Sequence, residues 1–211
     1  DRALTAAEIR LLFEQQALWD DKNAWRPSTV AGGTPGADDI GTLPAPGSVV
    51  INEILSHSHL IAPDWIELHN TTSEPINIGG WFLSDSNDDD PNRMKYEIAA
   101  DTILPRNGYA VFYEDLQFGN ASDAGCHVPF GLSEGGETVY LQSGLDGKLT
   151  GYSVEQSFDA AESGVAFGRY LKSTLDGGVN FVAMSANTPN DENAPPKVGP
   201  IVITEIQYNP S

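Results

Sequence analysis

The sequence predicts an all-β protein, a two-sheet β-sandwich with a short N-terminal helix. Three observations lead there. Runs such as DWIELHN (64–70) and ETVYLQS (137–143) alternate between apolar and other residues with a period of two, the signature of a strand with one buried face. Glycine pairs at Gly79-Gly80, Gly135-Gly136 and Gly177-Gly178 punctuate these runs, and turns of that kind break a chain into short strands. Between residues 49 and 184 no helical period persists, and strands with regular turn signals point to a sandwich.

The elements follow in order. Residues 1–25 hold the one amphipathic helix, with Thr5 as its cap, Glu8 completing a capping box, and Ile9, Leu12 and Phe13 on one face. Residues 26–47, rich in Pro, Gly, Thr and Asp, read as linker. VVINEI (49–54) opens the strand region. In DWIELHN, Ile66 and Leu68 point one way, and Trp65, Glu67 and His69 the other. GYAVFYED (108–115) is apolar on both faces and predicts a central strand. Asp146-Gly147 within SGLDGK (143–148) predicts a hairpin turn. The count comes to about seven to nine strands in all, with Ile66, Leu68, Val139 and Leu141 in the core. Residues 193–200 read as a proline-rich spacer. IVITEI (201–206) repeats the VVINEI opening about 150 residues later, and each opening follows a Thr-Pro turn, in GGTPGADD (32–39) and ANTPNDEN (186–193). The repeat predicts tandem copies, with residues 201–211 starting the second and residues 1–25 left from a preceding domain. Residues 201–206 are expected to be disordered or to borrow a sheet edge from their own domain or a neighbouring molecule, and the helix to dock its apolar face on the sandwich.

Composition narrows the function. Thirty acidic residues face 11 basic ones, for a net charge of −19, and the basic residues are scattered. Such a field repels phosphate backbones, so no nucleic-acid partner is expected. One cysteine, Cys126, excludes an intrachain disulfide framework. The apolar runs fall short of the ~20 residues of a membrane span, so no membrane insertion is expected.

VVINEI, DWIELHNTTSEPINIGGWFLSD (64–85), ADTILPRNGYAVFY (100–113), FGLSEGGETVYLQSGLDGKL (130–149), GVAFGRY (164–170) and FVAMSANTPN (181–190) together resemble the lamin-tail domain in its bacterial form, in order over residues 48–192. The resemblance implies an immunoglobulin-like fold and a module associated with binding. It also implies a bacterial secreted or cell-surface protein with several domains. The opening DRALTAAEIRLLF (1–13) resembles the closing helix of a laminin-G-like jelly roll, which implies that residues 1–15 are the remnant of such a domain; a free amphipathic helix packing on the next domain is the other reading.

Candidate sites are few. LSDSNDDDPNR (83–93) offers Asp85, Asn87, Asp89 and Asp90 as calcium ligands, since a hard cation wants about six to eight oxygens. The loop departs from an EF-hand at its sixth position, Asp90, and its twelfth, Tyr96. A solvated turn that caps its own backbone is the other reading. His57, His59 and His69 with Asp64 and Glu67 raise a zinc site, but the tight ligand spacing zinc uses is missing and exposed histidines are the plainer reading. Glu53 and Glu67 raise a glycosidase pair. The recurrence of the strand glutamate at Glu205 suits a structural hydrogen bond. No Ser-centred elbow is present, Cys126 is followed directly by His127, and no phosphate loop is visible. The sequence therefore predicts no catalysis and no cofactor beyond calcium. It predicts an interaction, adhesion or spacer module whose partner is a protein or a glycan, alongside neighbouring domains of the same chain. The alternatives are an accessory domain of a surface hydrolase and a carbohydrate-binding sandwich, the latter marked by a concave aromatic platform.

Overall fold

The computed structural model describes residues 43–59, 62–86, 93–172 and 178–199. The expected N-terminal helix, most of the linker at 26–47, and the second opening with Glu205 lie outside the described residues. In chain order the strands are β1 (Val49–Leu55), β2 (Trp65–Asn70), β3 (Ile76–Asn77), β4 (Phe82–Ser84), β5 (Tyr96–Glu97), β6 (Ile103–Leu104), β7 (Tyr109–Tyr113), β8 (Gly136–Leu145), β9 (Lys148–Asp159), β10 (Phe167–Leu171) and β11 (Val179–Ala183). These eleven among the described residues exceed the seven to nine expected, because β3, β5 and β6 are two-residue pairings too short to leave a periodic trace.

Two antiparallel sheets form the sandwich, in the orders β11-β10-β1-β2-β7 and β5-β4-β8-β9, with β3 and β6 as a small separate pair. Their inner faces supply one core, in which Ile66, Leu68, Val139 and Leu141 are all fully buried. The expected alternation is therefore observed at all four positions. Leu43, expected in the linker, joins this core as well. Asp146 and Gly147 both have positive φ, 52° and 69°. That is the requirement of a type I′ turn, and it joins β8 to β9 as the Asp-Gly pair predicts.

Two expectations fail. Among the described residues GYAVFY is an edge strand, bonded to β2 alone. Its apolar residues on both faces have separate partners. Phe112 enters the main core, while Val111 and Tyr113 pack on the opposite face around Leu55, Trp65 and Ala166. The region is also not free of helix. Glu114–Phe118 forms one π-helical turn that buries Phe118, stacked on Phe130 with ring centroids 4.8 Å apart. One turn is too short to show a helical period.

The spacer expected from residue 193 instead folds back on the domain as far as Lys197. Met184 pairs with Pro196. Ser185 N donates to Pro195 O at 2.9 Å, and Lys197 N to Ala183 O at 2.7 Å. This returning segment builds the site described next.

Candidate functional site

β1 and β2 run antiparallel, and Glu53 stands directly opposite Glu67. The core positions on β1 are Val49, Ile51 and Ile54, so the pattern skips a residue. A β-bulge between Ile51 and Glu53 causes the skip. The extra residue, Asn52, turns outward together with Glu53. Three polar side chains, Asn52, Glu53 and Glu67, thus share the outer face of the sheet, yet both carboxylates are fully buried.

The cover is the segment 187–193, here called the clasp. Its sequence Thr188-Pro189-Asn190-Asp191 makes a tight turn. Asp191 N donates to Thr188 O at 3.0 Å, and Asn190 has φ 66°. Pro at the second position and a left-handed Asn at the third are what a type II turn selects. The turn directs its N–H groups at the sheet. Thr188 donates its N–H to both Glu53 oxygens at 3.2 Å and its hydroxyl to Oε2 at 2.8 Å. Asn190 N donates to Glu67 Oε2 at 2.5 Å, and Asn52 Nδ2 to Glu67 Oε1 at 2.8 Å. Burial holds the Glu53 carboxyl above its ordinary value, while the Thr188 bonds pull it back. Burial pushes Glu67 up to about 7, opposed by its bonds from Asn52 and Asn190 and assisted by Glu53 and Asp191. Desolvation disfavours the charged form, and donated hydrogen bonds favour it.

Beside the clasp the five-stranded sheet forks. β1 pairs with β10 only at Glu53–Gly168 and Ile54–Phe167, whereas Arg169, Tyr170 and Leu171 continue to pair with β11 alone. Asn193 fills the crotch. Its Nδ2 donates to Arg169 O at 2.8 Å and to Asn52 O at 3.3 Å. Glycine at position 168 makes room for this packing: a Cβ there would lie 2.6 Å from Met184 Cε and 3.0 Å from Asn193 Nδ2, and both side chains would have to shift. Further along, Tyr152 Oη caps the freed backbone of β1, accepting from Val49 N at 2.9 Å and donating to Val49 O at 2.7 Å.

The fork opens a cleft of about 780 Å³, walled by His69, Thr71, Asn107 and Tyr109 on one side and Arg169 to Leu171 on the other, with clasp residues Glu192 and Asn193 at its end. His69 stacks on Tyr109, with ring centroids 4.4 Å apart and planes 15° apart. Burial lowers the His69 pKa, and the hydrogen bond to the Asn107 backbone opposes that. Arg169 is also held below its ordinary value by burial.

The sequence-predicted sites are redistributed by this geometry. Glu53 and Glu67 come together as a cross-strand pair, but both are occupied by the clasp, which answers the structural reading and removes them as an open hydrolytic pair. The three histidines separate. His57 sits 3.3 Å from Glu134, with Nδ1 3.0 Å from Ala161 O. His59 meets Ser163 at 3.2 Å, and His69 faces the cleft. Among the described residues no three His, Cys, Asp or Glu side chains are grouped to hold a metal ion. Of the calcium candidates only Asp85 is described, and its carboxylate pairs with Lys95; Asn87, Asp89 and Asp90 lie outside the described residues. The sequence reading missed Asn52, Thr188, Asn190 and Asn193 as partners of the strand glutamates. Their signal was present in the recurring Thr-Pro turn and the recurring strand Glu, which were read as marks of a repeat.

An antiparallel two-sheet sandwich, closed on its outer face by its own C-terminal segment, defines an immunoglobulin-like β domain. The Lamin Tail Domain family model matches residues 42–156, more than half of the chain, and the chain belongs to that family, a non-enzymatic immunoglobulin-like domain. No curated protein and no solved structure matches the chain. The matched segment stops before β10, β11 and the clasp, so the physical unit extends past it to Lys197.

Proposed function

We propose that this chain is a non-catalytic interaction module of a large bacterial secreted or cell-surface protein, working in adhesion or spacing, and that the forked cleft is where it binds. The observation that carries the reading is the division of labour on one sheet face. The carboxylates that a hydrolase would expose are buried under the clasp. The adjoining cleft, by contrast, is open, aromatic and polar, with walls of paired strand. Clefts that mix apolar faces with a few fixed polar groups are the usual form of a binding site.

The test is a panel of glycans and bacterial surface proteins presented to the full chain. Binding to a member of the panel, abolished by Thr71→Trp, is the expected result, because a bulky ring there fills the cleft. Binding that survives Thr71→Trp places the contact elsewhere and sinks the cleft assignment. Hydrolysis of any panel member, lost in Glu67→Gln, would overturn the non-catalytic reading.

A further inference from the structure

We infer that the ligand of the forked cleft is a neutral saccharide; this rests on the cleft being the binding surface. Three features of the cleft select that chemistry. The first is size and form. A cleft of about 780 Å³ holds a few sugar rings, within the ~300–1,000 Å³ common for ligand sites. The second is the aromatic wall. His69 and Tyr109 stack face to face, so each ring braces the other and a ligand meets the outer face and edges of a rigid stack. Burial favours the uncharged imidazole, and the apolar C–H face of a pyranose packs on such a surface as other apolar groups do.

The third feature decides the charge. Four polar groups on the cleft wall make no hydrogen bond to other described residues: the Tyr109 hydroxyl, the Asn107 amide, the Arg169 guanidinium and the Glu192 carboxylate. Arg169 forms no ion pair among the described residues either, in a chain with 30 acidic residues available. A guanidinium only donates, a carboxylate only accepts, and an amide does both. Sugar hydroxyls both donate and accept, so one ring satisfies all three kinds. A fixed anion would be drawn to Arg169 but would meet Glu192 and Asp191, whose charges, with that of Glu67, already push the Tyr109 hydroxyl upward beyond the effect of burial. The net charge of −19 adds a long-range barrier to anions. A fixed cation would meet Arg169. Neutral, multiply hydroxylated ligands escape both conflicts.

The experiment is an amide-resolved NMR titration of the full chain with three sets of probes at millimolar concentration: neutral hexasaccharides of glucose, mannose, galactose and N-acetylglucosamine; the matching uronic-acid oligomers; and a mixture of extended peptides. The expected result is a neutral oligomer that shifts resonances of β7, β10 and the clasp. Tyr109→Ala and Glu192→Ala should each weaken that binding about tenfold, equivalent to ~1.4 kcal/mol. Glu192 is exposed, so its variant keeps the fold should Tyr109→Ala not. Asn107 has φ 48°, and Asn107→Gly removes the amide while keeping that backbone. It should weaken binding severalfold, whereas Ser157→Ala on the other sheet should leave it unchanged. If only uronic acids or peptides shift the cleft, the saccharide proposal fails while the binding surface stands. If no probe shifts the cleft, or the shifts fall on the four-stranded sheet, both fail.

Discussion

The two sheets of this sandwich treat their outer faces in opposite ways. On the four-stranded sheet, Tyr140 faces Glu155 and Thr138 faces Ser157 across β8 and β9, with Glu155 and Ser157 exposed. The Thr138–Ser157 hydroxyl contact of 2.7 Å is in solvent. On the five-stranded sheet the corresponding cross-strand pair is Glu53 and Glu67, fully buried. The same kind of residue on the same kind of surface thus carries different weight. An exposed hydrogen bond replaces one to water and changes little. A buried carboxylate costs several kcal/mol to desolvate, and it holds the fold together only while its donors are in place. The proposed binding cleft adjoins the buried side, because the segment that satisfies the carboxylates also ends the cleft.

The comparison breaks most readily at Glu67. Glu67→Ala leaves Asn190 N and the Asn52 amide without their acceptor, and should cost about 2–4 kcal/mol. Glu155→Ala should stay within about 0.5 kcal/mol. Urea unfolding of the two variants measures both, and equal losses would end the distinction. A smaller effect is expected at the crotch. Asn193→Ala removes the bonds donated to Arg169 O and to Asn52 and the one accepted from Asn52 Nδ2, and should cost about 1–2 kcal/mol, against a few tenths for Ser157→Ala.

The pH response sharpens the same contrast. Glu67 is raised in the fold from 4.5 to about 7, so the fold binds its proton more tightly than the unfolded chain does. That stabilisation is fully present below about pH 4.5 and is lost as pH rises through 7. The melting temperature should therefore be higher at pH 5 than at pH 8. Relief of the negative net charge acts in the same direction, so Glu67→Gln is the control. A pH dependence unchanged in Glu67→Gln would assign the effect to charge at large. The smallest effect is expected at the proposed calcium site of Asp85, Asn87, Asp89 and Asp90. Calcium there competes with Lys95 for Asp85, and near its dissociation constant it should stabilise by only about 0.4 kcal/mol. Melting curves that coincide in chelator and in calcium would remove that site.

Much of the sandwich was legible in the sequence, and the reasons are local. Ile66 and Leu68, or Val139 and Leu141, announce their face by alternation, and Asp146-Gly147 announces its turn by backbone chemistry. β7 misled because its outer face has its own small apolar cluster, which a single strand cannot reveal. The clasp was illegible for another reason. Thr188 and Glu53 lie 135 positions apart, and Asn193 and Asn52 lie 141 apart. No periodicity within a strand reports a bond of that span. Pro189 reads as a linker residue in isolation; only the sheet beneath explains why the turn is type II and which carboxylates it serves.

The span of the clasp has a consequence for how the chain is made. β1 leaves the ribosome well before its neighbour β10 and the donors for Glu53. Contacts of such long range slow the search for the native state. Until residue 193 is available, the first strand has no complete set of partners, and the chain stays open to whatever machinery handles unfolded polypeptides. A chain cut at residue 186 would contain all of β1 to β11 and still lack Thr188, Asn190 and Asn193. Completion of this domain's fold is thereby tied to synthesis of the clasp, whatever else the chain carries.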